Sequence, residues 1–258
     1  MSALAAAFAR AKAEKRAALV CYAMGGDPNL EATEALLLAL DASGADVLEL
    51  GVPFSDPIAD GPVLQAAAVR ALNAGTTLRS LLAMAARLKG KLRAPVVLMG
   101  YANPFLHFGL QQFAAAAEDA GISATIIPDL PLEETPHFRD ALTPHGIEMV
   151  LLCAPTTGRD RMAKIAQASR GFLYAVSVTG VTGARADLPP ELAAYLQTLR
   201  ELSPVPVAVG FGIARPEQAA AMGKLADGVV VGSALVAAHH EHGVAGAAEL
   251  TRSLRAAL

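Results

Sequence analysis

Two acidic residues, Glu49 and Asp60, combine a residue type and a setting that suit acid–base chemistry. Glu49 interrupts the apolar run Val47–Gly51, where a carboxylate is costly unless it is paired or functional. Desolvation there would raise its pKa, so Glu49 could hold and release a proton near neutral pH. Asp60 follows in the loop that leads to Pro62. The sequence therefore predicts a catalytic pair of carboxyls; the alternatives are a structural glutamate bonded to backbone donors and an aspartate that caps a helix.

Glycines end several apolar runs and indicate a phosphate site. The segments are Thr179-Gly180-Val181-Thr182-Gly183, Gly210-Phe211-Gly212 and Gly232-Ser233. Glycine lets the backbone approach phosphate oxygens and donate N–H bonds. The last two segments contain no Lys or Arg, so backbone dipoles would hold the anion. Turns also require glycine, and each segment alone has that simpler explanation.

The tyrosines favour a flat aromatic substrate. Three of the four, Tyr22, Tyr101 and Tyr174, lie at or near the ends of predicted strands, whereas Tyr195 falls on a predicted helix. Such a rim suits a ligand with apolar and polar parts. The alternative is that these rings only plug the mouth of the fold.

Other chemistries are disfavoured by where the basic residues lie. No lysine falls on a predicted strand, which argues against a Schiff-base aldolase. No histidine stands at a strand end with the spacing of metal ligands, which argues against a metal-dependent enzyme. The residues concerned are Lys12, Lys15, Lys89, Lys91, Lys164, Lys224, His107, His137, His145, His239, His240 and His242.

Strand-like and helix-like segments alternate along the chain. The predicted strands are Ala18–Met24, Val47–Gly51, Pro95–Gly100, Ala124–Pro128, Glu148–Cys153, Phe172–Ser177, Pro206–Gly210 and Gly228–Gly232. Helices are predicted from Asn29 to Ser43, from Pro62, over Leu78–Leu88, and near Pro104, Pro131, Gly158, Pro190 and Pro216. This alternation predicts parallel strands with right-handed crossovers.

Eight strands favour a closed barrel over an open doubly wound sheet. An open sheet usually stops at five or six strands and often has Gly-x-Gly-x-x-Gly after its first strand, where this chain has Met24-Gly25-Gly26-Asp27-Pro28. We therefore predict an α/β fold, a single (β/α)8 TIM-barrel domain over residues 1–258. The pattern through Arg16 adds an N-terminal capping helix. Chemistry in this fold sits at the carboxyl ends of the strands.

Composition narrows the class of protein. The chain has 258 residues, 53% hydrophobic and 17% charged, with net charge −3, which argues against disorder and against a nucleic-acid partner. No apolar run is long enough for a membrane span. Cys21 and Cys153 each lie in an apolar run and are expected to be buried, reduced thiols. The N-terminus lacks a basic region before its apolar stretch, so a cytoplasmic enzyme is expected.

The motifs together resemble the tryptophan synthase alpha chain family. The residues that carry the resemblance are Leu48–Pro57, Ala59–Pro62, Gly26–Pro28, Gly100–Pro104, Pro128–Pro131, Gly180–Gly183, Gly210–Ile213 and Gly232–Ala234. The resemblance implies retro-aldol cleavage of indole-3-glycerol phosphate to indole and D-glyceraldehyde 3-phosphate, with Glu49 and Asp60 as the catalytic acids. It implies substrate binding by Tyr22, Tyr101, Ile127, Asp129, Tyr174 and the mobile-loop residue Thr182. It implies phosphate binding by Gly183, Gly212, Gly232 and Ser233.

The resemblance also implies a partner. Family members work with a beta chain that carries pyridoxal phosphate, in an alpha2beta2 heterotetramer, whereas no cofactor or metal is expected in this chain. Partner contacts would lie around Pro53–Pro57 and Asn103–Pro104, where Phe54 or Phe105 would suit an interface if exposed; the alternative is that both simply pack locally. The alternatives are a stand-alone lyase and a catalytically silent phosphosugar-binding barrel that regulates a partner.

Overall fold

A computed structural model describes residues 1–176, 190–210 and 212–258. Eight parallel strands pair in chain order, and β1 closes the barrel against β8. The strands are β1 Ala18–Met24, β2 Val47–Gly51, β3 Val96–Met99, β4 Ile122–Ile126, β5 Glu148–Cys153, β6 Leu173–Val176, β7 Val207–Gly210 and β8 Gly228–Val231. The predicted (β/α)8 barrel is confirmed.

The first helix precedes the first strand, and the other helices follow the strands on the outside of the barrel. They are α1 Ala3–Ala13, α2 Leu30–Ala42, α3 Pro62–Asn73, α4 Leu78–Leu88, α5 Ala102–Phe108, α6 Leu110–Asp119, α7 Thr135–Leu142, α8 Arg159–Ala168, α9 Pro190–Leu202, α10 Pro216–Gly223 and α11 Ser233–Ala257, with short 3-10 helices at Leu132–Glu134 and Thr143–His145. Within the described residues, no helix has the length and apolar character that crossing a bilayer requires.

The fourth strand differs from its predicted bounds. It begins at Ile122, two residues before the predicted start at Ala124, because Ile122 pairs with Val96 where the β3–β4 register shifts. It ends at Ile126, so Pro128 falls outside the strand. Proline has no N–H to donate to a sheet, which is why the strand stops before it.

Alternate residues of each strand face the interior of the barrel. Val20 and Val47 belong to the inner apolar cluster, whereas Leu19 and Leu48 pack in the cluster between sheet and helices. Helix α1 closes the amino-terminal end, since its residues Leu4, Ala7, Phe8 and Ala11 join the inner cluster. The Phe8 and Phe172 ring centroids lie 5.4 Å apart. The predicted N-terminal capping helix is confirmed.

Both cysteines are buried free thiols, as predicted. Cys21 packs in the outer cluster, and burial raises the pKa of its thiol to about 12. A thiol with so high a pKa is protonated near neutral pH and is a poor nucleophile.

Candidate active site

Glu49 lies inside the barrel wall, in the middle of β2. It stands in register with Tyr22 on β1 and Val97 on β3, and it alternates with Leu48 and Leu50, which face the helices. Only 1% of Glu49 is exposed. Strand alternation left open which face the carboxyl occupies; the structure assigns it to the interior.

The Glu49 carboxyl has the surroundings of a general acid. Its Oε2 atom is buried and has no hydrogen-bond partner among the described residues. Burial, and secondarily the charge of Asp60, raises the pKa of Glu49 to about 8. An unpartnered buried carboxylate is costly, so the group favours its neutral form. The alternative was a structural glutamate bonded to backbone donors. In the described residues, no backbone donor bonds to Oε2.

Asp60 lies half-buried in the segment that joins β2 to α3. Its N–H donates to the Pro57 carbonyl at 3.0 Å. Helix α3 begins at Pro62 with Gly61 as N-cap and no side-chain capping bond, so Asp60 is not the cap that was its alternative role. Burial raises the pKa of Asp60, and the Tyr101 side chain opposes that rise.

Tyr101 and Asp129 hold loops at the carboxyl ends of the strands. The Tyr101 hydroxyl accepts the Ala59 N–H at 3.0 Å, and its ring centroid lies 5.4 Å from that of Phe54. Asp129 is exposed, and its carboxylate accepts the Ala102 N–H at 2.9 Å. No spacing pattern in the sequence links residues on different loops, so these backbone contacts could not be predicted.

Tyr22 and Tyr174 each cover a glycine on the following strand. A Cβ added at Gly51 would lie 2.0 Å from the Tyr22 hydroxyl oxygen, and one added at Gly210 would lie 2.5 Å from that of Tyr174. Glycine is therefore required at both positions for the rings to pack. Burial raises the pKa of both hydroxyls well above the usual value, so both remain neutral.

A cavity of about 610 Å³ opens at this end of the barrel. Its walls include four of the predicted site residues: Asp60, Ile127, Tyr174 and Ser233. Further wall residues were not predicted, and among them Met99 and Leu152 could have been found from the inward alternation of β3 and β5. No pattern in the sequence predicted that Arg161 on α8 would line the cavity. The other predicted site residues that the structure describes are not in this wall: Glu49, Tyr22, Tyr101, Asp129, Gly212 and Gly232.

The start of α11 has the features of an anion site. Gly232 is the N-cap and makes no side-chain capping bond, and Ser233 follows at the cavity wall. The first turn of a helix presents N–H groups and a positive dipole end. Gly212 has φ of +55°, a conformation that favours glycine. The other two predicted residues of this region, Thr182 and Gly183, lie outside the described residues.

The two aromatic candidates for a partner interface are not freely exposed. Phe105 is fully buried and packs on Phe113 with ring centroids 4.5 Å apart, and Phe54 is half-buried against Tyr101. The idea of Phe105 as an interface residue is wrong, because it fills the space between α5 and α6. Ile58 is 84% exposed and Leu106 is 48% exposed in the same region.

The part of the chain that the structure describes contains no cluster of side chains that could hold a metal ion. No three His, Cys, Asp or Glu side chains there are grouped to hold an ion.

Comparison with known proteins identifies relatives over almost the whole chain. A family model described as tryptophan synthase alpha chain matches residues 8–257. The tryptophan synthase alpha chain of Geobacter sulfurreducens is 50% identical over 236 residues, which cover 92% of this chain and 89% of the relative. That of Synechococcus elongatus is 47% identical over 259 residues, covering 100% and 97%.

Solved structures agree with these relatives. The tryptophan synthase alpha chain of Legionella pneumophila superposes with a TM-score of 0.90 at 39% identity, covering 100% of this chain and 97% of the other. A structure of tryptophan synthase from M. tuberculosis gives a TM-score of 0.91 at 36% identity, covering 99% and 98%.

Proposed function

This chain belongs to the tryptophan synthase alpha chain family, and from that membership we propose that it cleaves indole-3-glycerol phosphate to indole and D-glyceraldehyde 3-phosphate. One observation carries the proposal: Glu49 is a buried carboxyl inside the barrel whose Oε2 has no partner among the described residues and whose pKa is raised to about 8. A carboxyl that is neutral at pH 7 can donate a proton.

The proposed reaction breaks the bond between indole ring carbon C3 and the hydroxyl-bearing carbon of the side chain. Glu49 donates its proton to C3, which makes the ring a cation that can accept the electron pair of the breaking bond. Glu49 then takes the proton of the side-chain hydroxyl, and that carbon leaves as the aldehyde. The proton given to C3 stays on indole, so atoms and charge balance.

In this scheme Asp60 stabilises the positive charge that forms on the indole ring. Its carboxyl is less buried than that of Glu49, and the Tyr101 hydroxyl beside it opposes the rise of its pKa. An ionised Asp60 would accept a hydrogen bond from the ring N–H and stabilise the cation formed when C3 is protonated. Two carboxyls with different surroundings thus divide the acid and the stabilising roles.

The remaining predicted residues serve binding in this proposal. Tyr22, Tyr101, Ile127, Asp129, Tyr174 and Thr182 would surround the indole ring and side chain, and Gly183, Gly212, Gly232 and Ser233 would hold the phosphate. The uncapped start of α11 at the cavity supports the phosphate end of this arrangement. No metal takes part in the proposed chemistry.

We further propose a beta chain as partner. Solved structures of tryptophan synthase among the neighbours support such a partner. Pyridoxal phosphate would belong to the beta chain, which would receive the indole in an alpha2beta2 heterotetramer. The proposed location is the cytoplasm.

The test replaces Glu49 by glutamine and measures indole release from indole-3-glycerol phosphate. Glu49→Gln keeps the shape and removes the acid, so turnover should fall by about 10²- to 10⁴-fold. Glu148→Gln is the matched control, because Glu148 also has a buried Oε2 without a hydrogen-bond partner in the described part of the chain but stands at the first residue of β5. Near-normal turnover of Glu49→Gln, or equal losses in both variants, would refute the assignment.

Two other functions can be separated by combining the indole-release assay with calorimetry and with the addition of a beta chain. Calorimetry showing tight substrate binding by a wild-type chain that releases no indole would favour the silent regulatory barrel. A rate that does not change when a beta chain is added would favour a stand-alone lyase.

A further inference from the structure

The Tyr101 hydroxyl joins two loops that are distant in sequence. Tyr101 stands two residues beyond the end of β3, and Ala59 lies in the segment between β2 and α3. The hydroxyl accepts the Ala59 N–H at 3.0 Å, and only 3% of the tyrosine is exposed. Ala59 directly precedes Asp60, so the bond fixes the backbone that carries the acid.

The same hydroxyl also acts electrostatically on Asp60. Accepting the Ala59 N–H uses one lone pair and leaves the hydroxyl hydrogen free to be donated. This donor favours the ionised form of Asp60 and opposes the rise of its pKa that burial causes. The ring is held in turn by Phe54, whose centroid is 5.4 Å away.

A second bond holds the backbone next to Tyr101. The Asp129 carboxylate, on the loop after β4, accepts the Ala102 N–H at 2.9 Å. The loops after β2, β3 and β4 are therefore joined in a row, which ends at Asp60. Each link is a side chain bonded to a backbone N–H of the neighbouring loop.

We propose that Tyr101 is a positioning residue, whose hydroxyl fixes the orientation of Asp60 by holding the N–H of Ala59, the residue directly before it. The inference rests on the proposed function and adds a role to it. The hydroxyl is engaged with the protein, so its main effect is on the acid rather than on substrate affinity. Asp129 is the outer support of this arrangement.

Several titratable groups surround the acid and must be considered in any pH measurement. Glu49 on β2, Tyr22 on β1 and Tyr101 after β3 interact electrostatically with Asp60, and Asp129 interacts in the same way with Tyr101. Of these, Glu49 has its pKa raised to about 8. Removal of the Tyr101 hydroxyl takes away a donor to Asp60, so the pKa of Asp60 should rise.

The test uses Tyr101→Phe, which keeps the ring and removes the hydroxyl. The kcat for indole release should fall about ten- to a hundredfold, because a small displacement of a catalytic group costs that much, and KM should change little. The acidic limb of the pH profile should move to higher pH. In the full-length protein, amide exchange at Ala59 should accelerate, and a carbon-13 titration should give a higher pKa for Asp60.

Tyr195→Phe is the matched control. Tyr195 is a buried tyrosine on α9 whose hydroxyl donates to the Cys153 carbonyl at 2.5 Å, so this variant also loses one buried hydrogen bond. Its pH profile and the pKa of Asp60 should stay at the wild-type values. Equal changes in both variants would show a general loss of stability and overturn the proposal.

The remaining outcomes are distinct. A higher KM for Tyr101→Phe with an unmoved pH profile would show that the hydroxyl binds substrate, and unchanged kinetics would show that it positions nothing; both overturn the inference. If the wild-type chain releases no indole, the proposed function fails. The exchange of Ala59 and the pKa of Asp60 still decide whether Tyr101 positions the acid.

Discussion

The two acidic residues of the site differ in their surroundings rather than in their chemistry. Glu49 is enclosed by strand side chains, and burial raises its pKa to about 8. Asp60 is half-buried on a loop, with the Tyr101 hydroxyl opposing the rise of its pKa. At pH 7 these surroundings favour a neutral Glu49, while Asp60 retains the greater tendency to ionise. This difference is the electrostatic basis of the proposed acid–base pair.

The raised pKa of Glu49 predicts how stability depends on pH. The folded chain keeps a proton on Glu49 up to about pH 8, whereas the unfolded chain releases it near 4.5. Between these values the folded state binds more protons, so its stability falls as pH rises. Compared with Glu49→Gln, the wild-type free energy of unfolding should fall by a few kcal/mol over this interval. Urea unfolding across the pH range measures this.

The matched control for this prediction is Glu148→Gln, which leaves Glu49 in place. Its unfolding free energy should fall with pH as that of the wild type does. A wild-type curve parallel to that of Glu49→Gln would contradict the raised pKa. Indole release should also decline above about pH 8, when Glu49 ionises.

At the scale of elements, close contacts between helices and strands stabilise both ends of the barrel. At the carboxyl end, Arg70 of α3 makes two 2.7 Å bonds to the buried Asp27 carboxylate after β1. This bond holds the helix that follows Asp60 against the first strand. At the amino-terminal end, Phe8 of α1 lies so near Gly228 that a Cβ there would be 2.8 Å from the ring. Helix α1 is therefore part of the core.

Phe8→Ala tests the contribution of α1. The variant leaves a cavity beneath the inner cluster, and the free energy of unfolding should fall by about 3–5 kcal/mol. Phe8→Leu fills most of that space and should cost clearly less. Urea unfolding at pH 7 gives both values. The KM for the proposed substrate should not change while the chain is folded, since α1 closes the opposite end of the barrel. A loss below about 1 kcal/mol would mean that α1 is peripheral.

At the scale of the whole molecule, two exposed apolar side chains lie on segments that follow β2 and β3 at the carboxyl end of the barrel. Ile58 is 84% exposed in the loop that carries Asp60, and Leu106 of α5 is 48% exposed. They lie next to the segments Pro53–Pro57 and Asn103–Pro104, where the family resemblance implies partner contacts. A partner docked there would cover apolar surface and contact the loop of the catalytic acid.

Ile58→Asp tests this surface against a beta chain. A charge in the centre of an apolar contact is desolvated without a partner, so affinity should fall about tenfold or more. Leu38→Asp is the control, because Leu38 is exposed on α2, outside those segments. Isothermal titration with a beta chain gives the affinities, and thermal unfolding checks that both variants are folded. Equal affinity of Ile58→Asp and wild type would remove Ile58 from the interface.

Local residue patterns were sufficient to predict the fold. Strand bounds at β1, β2 and β5 agree with the prediction, because apolar runs that end in Gly, Pro or polar residues are local signals. Helix starts at Pro62, Pro190 and Pro216 agree as well, since proline at the first helical position loses no bond. The misplaced β4 depends on its partner, because its first residue is set by a register shift against β3.

The sequence by itself determined the barrel, the closing helix, the candidate acids and the end of the barrel where they would lie. It could not determine that Glu49 faces inward, that Gly61 rather than Asp60 is the N-cap of α3, or that Phe105 is buried. Nor could it show that Tyr101 reaches Ala59, a residue of another loop. The reason is physical: secondary structure follows from neighbouring residues, whereas burial, pKa and bonds between loops depend on which distant segments the closed sheet brings together.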